Sequence, residues 1–295
     1  MESKRGAHAL EWNKRTLVMG IVNCTPDSFS GDGVQDVDAA VAQGVAFVQE
    51  GVDVLDVGGQ STRPGAVEVE VEQELDRVLP VIACLAARVQ VPISVDTSRA
   101  AVARAALIAG AVMVNDVWGL RRDPDMAQVV AAADAWVVLM HNRAAPPVTG
   151  ALGGHYHRVP YESGDIVQAV GGELERRVGE ALQASIAREH IIIDPGIGFG
   201  KSVEQNLDLL RRLGELKARP GLAGLPLLIG TSRKSVIGLT LNLPVSERLE
   251  GTLATLALAI AQGADMVRVH DVRAAVRCCR MADAIVRGTP VAAHG

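Results

Sequence analysis

Apolar residues along this chain gather into short, nearly continuous runs set between longer amphipathic stretches. Eight runs recur: TLVMGIVN (16–23), VDVLDVGG (52–59), VPISVD (91–96), AVMVND (111–116), AWVVLMH (135–141), HIIIDPG (190–196), LPLLIG (225–230) and DMVRVH (265–270). Runs of this length and β-branched content read as strands buried on both faces, as in a parallel sheet covered on each side. Between them apolar positions recur at helical spacing, over 36–51, 71–89, 99–110, 123–135, 164–187, 203–216, 246–264 and 271–288. Alternation of eight strands with eight helices predicts the α/β class and a (β/α)8, or TIM, barrel, which typically takes about 250 residues. A doubly wound open sheet is the other architecture, but the glycine-rich first turn it carries is missing here. The chain of 295 residues therefore reads as one domain, 1–295, with flexible tails at about 1–14 and 289–295.

Polar residues sit where each apolar run stops. They are Asn23, Gly58-Gly59-Gln60, Asp96, Asn115-Asp116, His141, Asp194, Ser232-Arg233-Lys234 and Arg268-Val269-His270. The carboxyl ends of barrel strands carry the active site, so this rim predicts an enzyme pocket. Each member alone has a plainer reading. Asp96 before Thr97-Ser98 resembles a helix N-cap, Asn115-Asp116 an Asx turn, Phe199 a core residue and His270 a satisfied barrel-end histidine. Their convergence on one rim favours function.

The stretch IIIDPGIGFGKS (191–202) tests the phosphate-loop alternative. A P-loop needs glycine where Pro195 stands, and a dinucleotide fingerprint needs glycine at Lys201. What remains is a buried strand ending in a carboxylate, followed by a tight glycine turn. The acceptors Asp96, Asn115 and Asp194 suit a flat heterocycle rich in N–H donors, such as a pterin edge. The cations Arg63, Lys234 and Arg268, with Thr62 and His270, suit phosphate or diphosphate.

Composition narrows the classes further. Apolar residues make up 48%, charged residues 21%, and the net charge is -5 with a pI near 5.8, which argues against nucleic-acid binding. No apolar run reaches the roughly 18 residues that span a membrane, and MESKRGAHALEW lacks the apolar core of a signal peptide. Cys24, Cys84, Cys278 and Cys279 show no C-x-x-C spacing, so neither a disulfide nor a zinc site is expected and the cytoplasm is the expected compartment. The segment 142–163 reads as a long surface loop rather than a lid. His155 and His157 within it lack the acidic partners of a metal site.

The segments MGIVNCTPDSFS, DVGGQSTRPGA, ISVDTS, VNDVWG, LMH, IIIDPGIGFGKS, SRKSVIG and VRVHDV together resemble the successive motifs of dihydropteroate synthases. The resemblance covers nearly the whole chain. It implies a transferase of folate biosynthesis that joins 6-hydroxymethyl-7,8-dihydropterin diphosphate to p-aminobenzoate, on a barrel that is usually a homodimer. It further implies that Asp96, Asn115, Asp194 and Lys234 bind the pterin, flanked by Met140, Phe199 and the aliphatic part of Arg268. By the same resemblance Asn23 would hold Mg²⁺, while Thr62, Arg63, Arg268 and His270 would hold the diphosphate. Pro64, Phe199, Lys234 and Ser235 would border p-aminobenzoate, with a helix starting near Ser235. Thr62, Arg63, Lys234, Arg268 and His270 are thus the expected catalytic set. Two positions depart from the family pattern: Gln60 stands for the usual glutamate, and Asp32 is displaced by one position in Ser30-Gly31-Asp32-Gly33. These departures raise a second reading, a pterin-binding relative without efficient turnover. A methyltransferase acting from methyltetrahydrofolate to a corrinoid is a third, disfavoured by the Ser-Arg-Lys-Ser and Arg-x-His stretches.

Overall fold

The computed structural model describes residues 10–24, 33–60, 66–67, 69–143, 151–152, 161 and 164–288. The strands are β1 (Leu17–Asn23), β2 (Val54–Gly58), β3 (Ala66–Val67), β4 (Ile93–Asp96), β5 (Met113–Asp116), β6 (Trp136–Met140), β7 (Ala151–Leu152), β8 (Ile191–Asp194), β9 (Leu228–Ile229) and β10 (Met266–Val269). The eight runs read from sequence form one parallel sheet in the order β8-β6-β5-β4-β2-β1-β10-β9. A parallel bridge between Ile193 and Leu227 joins its two edges and closes the barrel. Outside it, β3 and β7 pair antiparallel.

The helices are α1 (Gly33–Gln49), α2 (Val71–Arg88), α3 (Ala100–Ala109), α4 (Met126–Ala133), α5 (Ile166–Gln183), α6 (Val203–Arg211), α7 (Leu213–Lys217), α8 (Ser235–Leu241), α9 (Leu249–Ala261) and α10 (Val272–Val286). The single helix expected over 203–216 is interrupted at Arg212, whose φ of −118° leaves the helical range. Its guanidinium bonds Asp165 and Glu215 at 3.0 and 2.7 Å.

Side-chain alternation places the site. Inside the barrel, Met19, Val54, Met113, Val138, Ile192 and Met266 pack into an apolar plug. Two residues further along a strand the side chain faces the same way. Asp56 therefore follows Val54, Asn115 follows Met113, Met140 follows Val138, Asp194 follows Ile192 and Arg268 follows Met266. The plug becomes a polar mouth within one repeat. At the opposite end Leu10 and Trp12 pack against the plug, and Trp12 meets Trp136 with ring centroids 5.6 Å apart. The remaining tail residues, 1–9 and 289–295, lie outside the described residues.

Candidate active site

One arginine organises half of the mouth. Arg268 reaches across from β10, its Nε donating to Asp56 Oδ2 and its Nη2 to Asp96 Oδ2, both at 2.6 Å. Asn115 Nδ2 donates to the same Asp56 oxygen at 2.9 Å. Asp56 is wholly buried and so fixes Asn115 and Arg268 together. Burial pushes the Asp96 carboxyl up to about 7; Arg268 opposes the rise and Asp56 adds to it. The N-cap reading of Asp96 fails: α3 begins at Ala100, whose N–H is taken by Asp123 at 2.8 Å. Asp116 does make the expected turn, accepting from the Trp118 and Leu120 N–H groups at 2.9 and 2.7 Å.

The glycine loop organises the other half. Asp194 Oδ1 accepts the Gly196 N–H at 2.7 Å. Gly196 has φ +68°, and a Cβ there would lie 1.9 Å from the His141 carbonyl oxygen, so only glycine fits. Buried Asn206 locks the turn by accepting from Gly198 N–H at 2.8 Å and donating to the Ser202 carbonyl at 2.7 Å. Lys234 donates to the Ile197 carbonyl at 2.6 Å and lies 4.7 Å over the Phe199 ring. Burial pushes the Lys234 ammonium down to about 8 against the pull of Asp194. Burial likewise raises Asp194, and Lys234 with the Gly196 N–H opposes it.

The remaining expected residues surround these two halves. Asn23 ends β1 beside Gly58, which pairs in register with Asp96. Met140 ends β6 in register with Asp194. His270 donates its N–H to Ser232 Oγ at 3.1 Å and meets the same oxygen through Nδ1 at 3.0 Å. Ser235 opens α8, as expected, with Lys234 as its N-cap. Thr62, Arg63, Pro64, Asp32, His155 and His157 lie outside the described residues. Sequence reasoning missed Asp56 and Lys201. A charge in the middle of the apolar run VDVLDVGG was the available signal for Asp56. For Lys201 only its place in the glycine turn was available, and that served merely to reject phosphate motifs.

Residues 19–270 match the family of pterin binding enzymes. A dihydropteroate synthase of Synechocystis sp. is 46% identical over 284 residues, covering 96% of this chain and 94% of that one. The chain belongs to the dihydropteroate synthase family. The Clostridium difficile dihydropteroate synthase, solved in the presence of pteroic acid, is 45% identical with a TM-score of 0.86 and covers 95% of this chain and 100% of that one. The Xanthomonas albilineans dihydropteroate synthase in complex with 7,8-dihydropteroate is 41% identical with a TM-score of 0.82, covering 95% and 97% of the two chains. As in these dihydropteroate synthases, the fold is a (β/α)8 barrel.

Proposed function

We propose that this chain is a transferase that joins 6-hydroxymethyl-7,8-dihydropterin diphosphate to p-aminobenzoate, releasing diphosphate and forming dihydropteroate. The observation that carries the reading is the mouth itself. Three acceptors (Asp96, Asn115 and Asp194) and two cations (Lys234 and Arg268) converge there in a chain of this family. Asn115 Nδ2 is occupied by Asp56, so its carbonyl oxygen is the part left for a ligand N–H. Asp96 and Asp194 accept the remaining pterin donors, Lys234 supplies a donor in return, and Met140 and Arg268 flank the ring.

Arg268 and His270, with Thr62 and Arg63, hold the diphosphate and stabilise charge that builds on it as the carbon–oxygen bond breaks. The pterin methylene becomes cation-like, the p-aminobenzoate nitrogen forms the new carbon–nitrogen bond, and its proton leaves to solvent or diphosphate. No protein nucleophile is needed. Phe199, Pro64 and Ser235 border the incoming amine.

Asn23 fits a role in holding Mg²⁺. Among the described residues no cluster of three His, Cys, Asp or Glu could hold a metal, and Mg²⁺ commonly uses one or two protein oxygens with waters and substrate phosphates. Mg²⁺ held there would neutralise diphosphate charge. A homodimer and a cytoplasmic location complete the reading. Exposed Leu239, Leu258, Met281 and Ile285 on α8, α9 and α10 support the first, and four free cysteines support the second. Sedimentation of the full chain tests the dimer.

The deciding experiment follows diphosphate release with both substrates present. Release that requires both, and that fails with EDTA or Asn23→Ala, is expected. Pterin binding without release would favour the non-catalytic relative, and Gln60→Glu with Gly31 and Asp32 exchanged would then test whether the loop departures cause it.

A further inference from the structure

Lys201 lies under the Asp194 turn at 1% exposure, and the chemistry above leaves it unused. An ammonium has three N–H donors, and three partners surround this one. They are the Gly196 carbonyl at 2.9 Å, the Phe199 carbonyl at 3.0 Å and His141 Nδ1 at 3.0 Å. The carbonyls only accept, so the state of Lys201 turns on whether Nδ1 accepts as well. The other imidazole nitrogen, Nε2, lies 3.2 Å from Glu173 Oε2. That approach is too poorly aligned to be a hydrogen bond, but a carboxylate only accepts, so it favours a proton on Nε2 and leaves the Nδ1 lone pair to Lys201. The opposite tautomer would set a lone pair against the carboxylate.

Glu173 is equipped to impose this choice. Burial alone would raise its carboxyl, but the close approach of the His141 ring and of the Arg143 guanidinium, whose Nε donates at 2.6 Å, holds it at about 2. His141 is pushed down to about 4 by burial and by Lys201, and so stays neutral. Arg143 lies 4.5 Å over the Tyr161 ring, whose hydroxyl donates to the Gly200 carbonyl at 3.2 Å. The contacts thus leave the glycine loop through Lys201 and return to it through Tyr161.

We propose that Glu173, acting through the His141 tautomer, keeps Lys201 a buried ammonium whose bonds to the Gly196 and Phe199 carbonyls set the pterin carboxylate Asp194 and the aromatic wall Phe199 in register. Lys201 is then a positioning residue for both substrates, a role that rests on the synthase reading of the site. Burial pushes its ammonium down to about 7, Asp194 and Glu173 favour the charged form, and Lys234 and Arg143 oppose it. The charge therefore depends on the carboxylates around it.

Nitrogen NMR of the full chain, with the His141 signal identified by its loss in His141→Gln, reads the tautomer directly. A neutral Nε2–H form is expected near neutral pH. Lys201→Met is expected to weaken pterin binding about tenfold or more in calorimetry. The KM of both substrates should rise, with kcat changed less. Glu173→Gln should act in the same direction, more weakly, and free the His141 tautomer. An Nδ1–H tautomer in the unmodified protein would overturn the proposal, as would a folded Lys201→Met protein with unchanged pterin affinity. Should Lys201→Met not fold, Glu173→Gln decides: unchanged pterin affinity together with an unchanged His141 signal overturns it. An unmodified protein that binds no pterin would instead overturn the underlying synthase reading, and this proposal with it.

Discussion

Two sets of carboxylates, one at each end of this barrel, are supplied with donors differently. At the amino-terminal end, Asp283 accepts from Thr16 N–H at 2.7 Å, Thr16 Oγ1 at 2.8 Å and Arg287 Nε at 2.8 Å. Asp53 there accepts from Val18 N–H and Arg15 Nη1, each at 2.8 Å. Each of these four oxygens has a donor, which fastens β1 to β2 and α10. Asp265 before β10, by contrast, keeps Oδ1 without a hydrogen-bond partner among the described residues and is held through Oδ2 by Lys217 and the Leu227 N–H. At the carboxyl-terminal mouth the described residues supply fewer donors to Asp56, Asp96 and Asp194. Asp56 and Asp96 share Arg268, and Asp194 has the Gly196 N–H as its hydrogen-bond donor. Asp56 Oδ1 and the neighbouring Ser94 Oγ have no hydrogen-bond partner among the described residues. Asp283 and Asp53 spend their oxygens on the fold, whereas Asp56, Asp96 and Asp194 keep acceptor capacity facing the mouth.

Removing the shared cation should break the contrast most severely. Arg268→Met leaves Asp56 and Asp96 buried without their counter-charge, and losing one partner of a buried pair costs about 3–5 kcal/mol. Urea unfolding should show that loss and calorimetry should show pterin binding abolished; a variant as stable as the parent would mean the sharing is unimportant. Asp283→Ala comes next, stranding the Thr16 donors at a cost of about 1–3 kcal/mol. Its pterin affinity should stay at the parent's level, and a fall would erase the division of labour between the two ends.

Asp194→Asn sharpens the comparison from the other side. The amide turns an N–H toward ligand N–H groups, so pterin affinity should drop at least about tenfold, with little change in unfolding midpoint. Retained affinity would remove Asp194 from the site. The smallest effect concerns protons. Ligand N–H donors favour the ionised acceptor and so pull the Asp96 carboxyl below about 7. Binding near pH 7 should therefore release part of a proton, seen as heat that varies with buffer ionisation enthalpy. The Asp96 share should vanish in Asp96→Asn; identical proton release in that variant would mean Asp96 is already fully ionised.

Much of this was readable in the sequence because strand geometry is local. A buried parallel strand needs a continuous apolar run, and its end is marked where polarity returns. For that reason Asp96, Asn115, Asp194 and Arg268 could be assigned to one rim before any contact was known. The glycines after Asp194 likewise announced a turn, since Gly196 occupies a conformation and a space that no side chain tolerates. The break at Arg212 was not readable, because residues 203–216 keep their helical periodicity through it.

By itself, then, the sequence determined the strand and helix alternation, the polar rim and the family, all of which follow from neighbours in the chain. Tertiary structure alone decided how donors are shared among those residues. Asp56 meets Arg268 across 212 positions, and Lys201 meets His141 across 60. Whether a carboxylate has one donor or three, and how far burial moves its pKa, depends on every element packed around it. Burial of charge is a property of the closed barrel, so no single stretch of the chain could encode it.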